Sequence, residues 1–388
     1  MTIERTLFTA DHEAFRDSFR RFMDKEIAPF HDAWEEQGYV DRVVWSKAGE
    51  NGFLCMALPD TYGGAGADLL YSVIQFEELW ARGFTGIGFG LHNEIVAPYI
   101  LRYGTEAQKQ HYLPRLASGE MVGAIAMSEP GAGSDLQAVK TSAIQQADGS
   151  YLLNGSKTFI TNGWHADLVI VVAKTDPAAG AKGTSLFLVE RGMPGFEKGK
   201  RLKKLGLKAQ DTSELFFNDV RLPADALLGD AAMLNRGFIC LMEQLPWERL
   251  QIAISAVAAS QAALDQTVAY VKERKVFGQP VGNYQNTRYT LAELQTEVQV
   301  AQVFVDKCIE LLMVEKLDTA TASMAKYWTS DLQCKVMDEC VQLHGGYGFM
   351  WEYPITRAYA DARVQRIYGG TNEIMKEVIT RSMGLGGR

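Results

Sequence analysis

Tyr151-Leu-Leu-Asn-Gly-Ser-Lys-Thr-Phe-Ile-Thr161 decides the fold class. Its ends are apolar and β-prone, and Asn154-Gly155 in the middle offers the positive φ angles of a type I′ turn. The stretch is therefore expected to form a β-hairpin. Two short β-branched runs follow, Leu168-Val-Ile-Val-Val-Ala173 and Ser185-Leu-Phe-Leu-Val189, separated by a loop at Pro177–Gly183. Glu214-Leu-Phe-Phe-Asn-Asp-Val220 ends a further strand before Pro223. These segments define a central β domain, expected over 122–231.

On either side the hydrophobic period changes from two to three and four. Phe15, Phe19, Phe22 and Met23, then Val73, Phe76, Leu79 and Trp80, mark amphipathic helices before it. Turn-rich stretches such as Tyr62-Gly-Gly-Ala-Gly-Ala67 separate them, and no convincing strand alternation appears in 1–121. After the β domain, Ile252–Leu264 is apolar or small nearly all round, as in a deeply buried helix. Leu291, Leu294, Val298, Ala301, Val305 and Leu312 trace a second long helix. Long helices with short links pack antiparallel, so 232–388 is expected to be a four-helix bundle. The whole is an α+β chain: a helical N-terminal domain, a central β domain and a C-terminal four-helix bundle.

The 388 residues, 47% hydrophobic and 22% charged, are those of a globular protein with two or three domains. With 39 Lys and Arg against 47 Asp and Glu, the net charge of −8 argues against non-specific nucleic-acid binding. Apolar runs fall short of the ~18–20 residues that span a membrane. Five cysteines without a CxxC pair indicate neither a disulfide framework nor a zinc site. His344 has no second His or Cys at ligand spacing, so no metal is expected and a packed or turn histidine is favoured. The opening Met1-Thr-Ile-Glu-Arg-Thr6 lacks an apolar signal region and carries an acid. The expected setting is a bacterial cytoplasm, or the mitochondrial matrix for a mature eukaryotic form.

Several segments look chemical. Ala124-Ile-Ala-Met-Ser-Glu-Pro-Gly-Ala-Gly-Ser-Asp135 combines small residues with hydroxyls, which lets a backbone approach a ligand, yet it is neither a P-loop nor a Rossmann fingerprint. Gln342-Leu-His-Gly-Gly-Tyr-Gly-Phe349 must interrupt a helix. In Arg366-Ile-Tyr-Gly-Gly-Thr-Asn-Glu-Ile374, Thr371 is a good N-cap with Glu373 in the first turn. In Leu245-Pro-Trp-Glu-Arg-Leu250, Pro246 should start or kink a helix. Each also has a plain reading as a turn, a cap or a surface acid. Lys198, Lys200, Arg201, Lys203 and Lys204 form a basic cluster, by default a solvated loop and otherwise a contact for phosphate or an acidic partner.

Taken together, these motifs resemble the acyl-CoA dehydrogenase family over essentially the whole chain, closest to its long-chain type. Ala126–Asp135 looks like the first family signature, and Gln342–Phe349, continuing to Asp361, looks like the second. Lys157–Gly163 and Glu273-Arg-Lys-Val-Phe-Gly278 fall between them in the family order. The resemblance implies FAD between the β domain and the bundle. Ile125, Met127, Ser128, Phe159 and Thr161 would hold the flavin ring. Arg274, Phe277 and Gln285 would hold the pyrophosphate and adenosine side, with Gln342, Gly345 and Gly346 from a neighbouring subunit. Thr371 and Glu373 would complete the cofactor site, to which Ser134 also belongs. Ser134, Arg249, Tyr368, Gly369 and Gly370 would contact the acyl-CoA. A homotetramer built as a dimer of dimers, electron transfer to an electron-transfer flavoprotein and a role in fatty acid β-oxidation are also implied.

One departure is informative. Short- and medium-chain relatives carry a catalytic Glu in a Tyr-Glu-Gly-Thr segment, where this chain has Tyr368-Gly369-Gly370-Thr371. Long-chain and isovaleryl members use a helix-borne Glu instead, and Leu245–Leu250 matches that pattern. The resemblance therefore implies Glu248 as the base, with the Gly369 N–H polarising the thioester carbonyl. The expected reaction is conversion of a medium-to-long acyl-CoA to the trans-2-enoyl-CoA. Alternatives are a branched-chain, isovaleryl-like enzyme and a non-catalytic flavin-binding homologue.

Overall fold

The computed structural model describes residues 3–386. Met1, Thr2, Gly387 and Arg388, the outer ends of the first and third expected domains, lie outside the described residues. The first part is helical throughout: α1 (Ala10–Glu26), α2 (His31–Gln37), α3 (Arg42–Glu50), α4 (Leu69–Ala81), α5 (Phe89–Leu91), α6 (Ala97–Tyr103) and α7 (Glu106–Ala117). Phe19, Phe22 and Met23 of α1 enter a core with Trp34, Trp45 and Phe53, as their spacing requires. Thr105 and Gln108 form a reciprocal capping box on α7. The Gln108 amide group also bonds Asp225 O, Leu227 O and Gly229 N, tying this helix to the β domain. Between α5 and α6 the chain makes one π turn, His92–Val96, a local unwinding frequent at functional sites.

The middle part is a seven-stranded sheet: β1 (Gly123–Ala126), β2 (Ser142–Gln145), β3 (Tyr151–Thr161), β4 (Leu168–Lys174), β5 (Thr184–Glu190), β6 (Phe196–Arg201) and β7 (Thr212–Leu222). The strand order is β1-β4-β2-β3-β7-β6, with β5 paired to β4. The expected hairpin at Asn154-Gly155 is not formed. β3 runs unbroken through it, paired with β2 and with β7. Gly155, at φ +149°, sits where the β3–β7 register shifts, and a Cβ there would lie 2.4 Å from Thr141 Oγ1. The glycine serves a bulge and a close approach, not a reversal. An Asn-Gly pair signals backbone freedom, and pairing on both flanks decides how that freedom is used.

The last part holds α8 (Gly237–Glu273), a minimal hairpin β8 (Lys275–Val276) and β9 (Gln279–Pro280), then α9 (Gln285–Met313), α10 (Thr319–His344), α11 (Pro354–Ala362) and α12 (Asn372–Ser382). Ala253, Ala256, Val257, Ala263 and Leu264 of α8 are buried, as are Ala325, Leu332, Val336, Met337 and Cys340 of α10. Pro246 does not start a helix but lies inside α8, so the Met242 carbonyl there has no backbone donor four residues on. The five cysteines are free thiols. No helix among the described residues is long and apolar enough to cross a membrane.

Candidate active site

The predicted site residues fall into three groups. The first surrounds the turn after β1. Ile125 is buried in β1, with Met127 and Ser128 just beyond it. Lys157 Nζ donates to Met127 O and to Glu129 Oε1, both at 2.9 Å, and Thr158 N donates to Ser128 O at 3.0 Å. Glu129 also accepts from the N–H groups of Lys140 and Thr141. These bonds fasten the turn to β3. A second register shift, between Lys157 and Ile160, leaves Phe159 at φ +60° and 70% exposed. Thr161 is half-buried nearby, Ser134 is exposed, and Gly131 and Gly133 have open space where a Cβ would point. A free-standing aromatic ring beside hydroxyls and accessible backbone fits a flat heterocycle such as flavin.

The second group is built on α8. Glu248 is 9% exposed and forms no ion pair among the described residues. Tyr99 of α6 donates to Glu248 Oε1 at 3.3 Å. Burial pushes the Glu248 carboxyl up to about 7, opposed by the Tyr99 bond and the Arg249 charge. Arg249 turns the other way, donating to Ser323 Oγ at 3.1 Å, and its Nε is buried without a partner. Ile252 lies one turn after Glu248 on the same helix face. Its Cδ1 would be 2.5 Å from a Cβ built on Gly369. The Tyr368-Gly-Gly-Thr371 loop thus packs against the stripe of α8 that carries Glu248. Gly369 and Gly370 have φ +64° and +91°, and the Tyr368 hydroxyl donates to Gln365. Thr371 caps α12 through Ile374 N, with Glu373 exposed in its first turn.

The third group lies at the far end of α8 and α10. Tyr270 stacks on His344 at 4.2 Å and donates to its carbonyl, while the Arg274 guanidinium lies over Tyr347 at 5.7 Å. Around them Gln285, Gln342, Gly345 and Gly346 are exposed. Phe277 is 99% exposed at φ +49°. No hydrogen bond or ion pair joins this group to the first among the described residues. His344 Nδ1 lies 2.8 Å from Cys340 O, so it is the packed histidine that its isolation suggests.

The basic cluster is not simply a solvated loop. Lys198 donates to Trp164 O and Ala166 O, Lys204 donates to Gln210 O, and burial pushes both ammonium groups down to about 8. Arg201 lies over Tyr39 and Trp164. His31, Asp32 and Glu35 could share a cation, but Arg357 already sits against both carboxylates.

Sequence reasoning missed Tyr99, Ser323, Lys326 and Asn372. Lys326 donates to Gly370 O at 2.7 Å and to Asn372 Oδ1 at 2.9 Å. The available signal was a lone Lys within Ala322-Ser-Met-Ala-Lys-Tyr-Trp328, an apolar and small stretch where a cation is out of place.

The helical first part, the seven-stranded sheet and the helical last part form an architecture shared by solved oxidoreductases. Models of the acyl-CoA dehydrogenase N-terminal, middle and C-terminal domains match residues 9–120, 124–220 and 235–384. The chain belongs to the acyl-CoA dehydrogenase family. It is 55% identical over 382 residues to the mitochondrial long-chain specific acyl-CoA dehydrogenase of Sus scrofa, covering 98% of this chain and 88% of that one. The crystal structure of an acyl-CoA dehydrogenase from Geobacillus kaustophilus superposes with TM-score 0.96 at 48% identity, covering 98% and 100% of the two chains. A glutaryl-CoA dehydrogenase from Mycobacterium smegmatis, solved in complex with FADH2, gives TM-score 0.90 at 31% identity, covering 98% and 96%.

Proposed function

We propose that this enzyme dehydrogenates long, straight-chain acyl-CoA thioesters at Cα–Cβ, with Glu248 as the base that takes the α proton. The observation that carries this reading is the buried Glu248 carboxyl on the α8 stripe that meets Gly369, raised to about 7 by burial that outweighs the Tyr99 bond and the Arg249 charge. A base poised near working pH combines a useful ionised fraction with proton affinity. The thioester α proton is removable only if the carbonyl is polarised, and the Gly369 N–H is the donor for it. Losing the side chain at 369 leaves that N–H in place. Arg249, with its unpartnered Nε, Tyr368, Gly370 and Ser134 contact the acyl-CoA.

Ile125, Met127, Ser128, Phe159, Thr161 and Ser134 would hold the flavin ring side of FAD, completed by Thr371 and Glu373. Arg274, Phe277 and Gln285, clustered with Gln342, Gly345 and Gly346 at one end of the bundle, would hold its pyrophosphate and adenosine. Gln342, Gly345 and Gly346 would do so from a neighbouring subunit, in a homotetramer. FAD, when bound, supplies the acceptor for the β hydride and passes the electrons to an electron-transfer flavoprotein. The mitochondrial long-chain relatives support the matrix as the setting of a eukaryotic form, with the bacterial cytoplasm as the alternative.

Anaerobic titration of the FAD-loaded protein tests this reading. Palmitoyl-CoA is expected to bleach the visible flavin band faster than butyryl- or isovaleryl-CoA. Fastest bleaching by isovaleryl-CoA would overturn the straight-chain assignment, and no bleaching by any acyl-CoA would overturn the dehydrogenase reading.

A further inference from the structure

We propose that Lys326 is a positioning residue that sets the place of the Gly369 N–H by gripping the Gly370 carbonyl. The inference rests on the reading that this N–H polarises the thioester.

Two consecutive glycines at positive φ make the most deformable turn a chain can form, and neither has a side chain to anchor it. An oxyanion donor, by contrast, works only when held within about 0.5 Å of its productive place. Among the described residues, the side-chain hydrogen bond that reaches the Gly369–Gly370 turn comes from Lys326. The second bond of Lys326 goes to Asn372 Oδ1, and the Asn372 amide donates to Tyr327 O, Ser330 Oγ and Asp331 Oδ1. The turn is thereby fastened, through one ammonium group, to the rigid body of α10.

The cost of this arrangement argues that it is functional. Lys326 is fully buried and, among the described residues, has no carboxylate at ion-pair distance. Simple packing would be better served by Met or Leu, because burying an unpaired cation is expensive. Arg249 and Arg366 add like charge, Asp331 and Glu373 oppose them, and burial leads in pushing the Lys326 ammonium down to about 7. Either protonation state keeps an N–H for the Gly370 carbonyl. Ser323, one turn before Lys326 on the same face, holds Arg249. One stripe of α10 therefore fixes both the substrate-facing arginine of α8 and the turn opposite it.

The test uses FAD-loaded Lys326→Met and Lys326→Gln, and reads α-hydrogen exchange of acyl-CoA in deuterated water by mass spectrometry. That exchange needs the base and carbonyl polarisation but no net redox. Lys326→Met is expected to keep its FAD and its KM while exchange and kcat fall together by about 10²-fold, the cost of a small misplacement. Lys326→Gln, which still offers an N–H to Gly370 O, is expected to recover at least about tenfold of that loss. Backbone amide exchange over 367–373 should rise in Lys326→Met alone. Exchange of the α hydrogen at the wild-type rate in Lys326→Met overturns the proposal. So does a loss that merely tracks thermal stability or FAD content, with Lys326→Gln no better. Where Lys326→Met does not fold, Lys326→Gln with an unchanged α-exchange rate and unchanged 367–373 protection overturns it. Absence of α exchange in the wild-type enzyme would instead overturn the dehydrogenase reading, and the proposal with it.

Discussion

Glu129 and Glu248 are buried to nearly the same degree, 8% and 9% exposed, yet the fold treats them in opposite ways. Glu129 sits beside the Lys157 ammonium and accepts two backbone N–H groups. Burial works against its charge, but these partners prevail and its carboxyl is held below the usual value. Glu248 accepts from one neutral hydroxyl and feels the Arg249 charge without bonding to it, so burial prevails and its carboxyl rises to about 7. Burial alone therefore does not mark a base. What sets the proposed base apart is burial without a bonded cation or N–H groups to satisfy the charge.

The contrast can be broken at either carboxyl. Glu248→Gln is expected to retain FAD while flavin reduction by acyl-CoA slows by about 10²–10⁴-fold, measured by anaerobic stopped flow. Lys157→Met should act on stability instead. It strands the Glu129 charge in the interior and should cost about 3–5 kcal/mol, read from urea unfolding. A third expectation concerns pH. The folded-state pKa of Glu248 is raised from 4.5 to about 7, so the folded form binds more protons between those values. Its contribution is fully present below about pH 4.5 and is lost as pH rises through about 7, a change of about 3 kcal/mol. Glu248→Gln should remove that dependence and be more stable than wild type at pH 8, whereas wild-type turnover should climb through the same window as the base ionises. The smallest effect is expected from Tyr99→Phe. Losing the 3.3 Å bond raises the Glu248 pKa further, moving the limb of the pH–rate profile upward by less than ~1 unit.

Much of the architecture was legible because hydrophobic period follows burial. The helical spacing of Phe19 and Met23, and the continuous apolar run Leu168–Ala173, both reached the core as expected. Glu248 as the proposed base is read through a resemblance and a deletion, the side chain missing at 369 calling for an acid elsewhere. What escaped depends on pairing between distant segments. Asn154-Gly155 has the same local signal in a turn and in a bulge, and β2 and β7 choose between them. Tyr99 looks like any aromatic core residue of a helix until α8 is packed against it. Lys326 meets Gly370 only after a further turn, helix and loop have folded back.

The Cδ1 of Ile252 lies where a side chain on Gly369 would begin. If Glu248 is the base as proposed, positions 248 and 369 are linked by packing as well as by role. A lineage that reinstated an acid at 369 would find the space taken and the backbone at a φ that disfavours a Cβ. Returning to the loop-borne base thus requires a second change, trimming residue 252, before the first can be of use. Ile252 would therefore act as a packing lock that, together with the backbone at 369, holds the proposed base to α8.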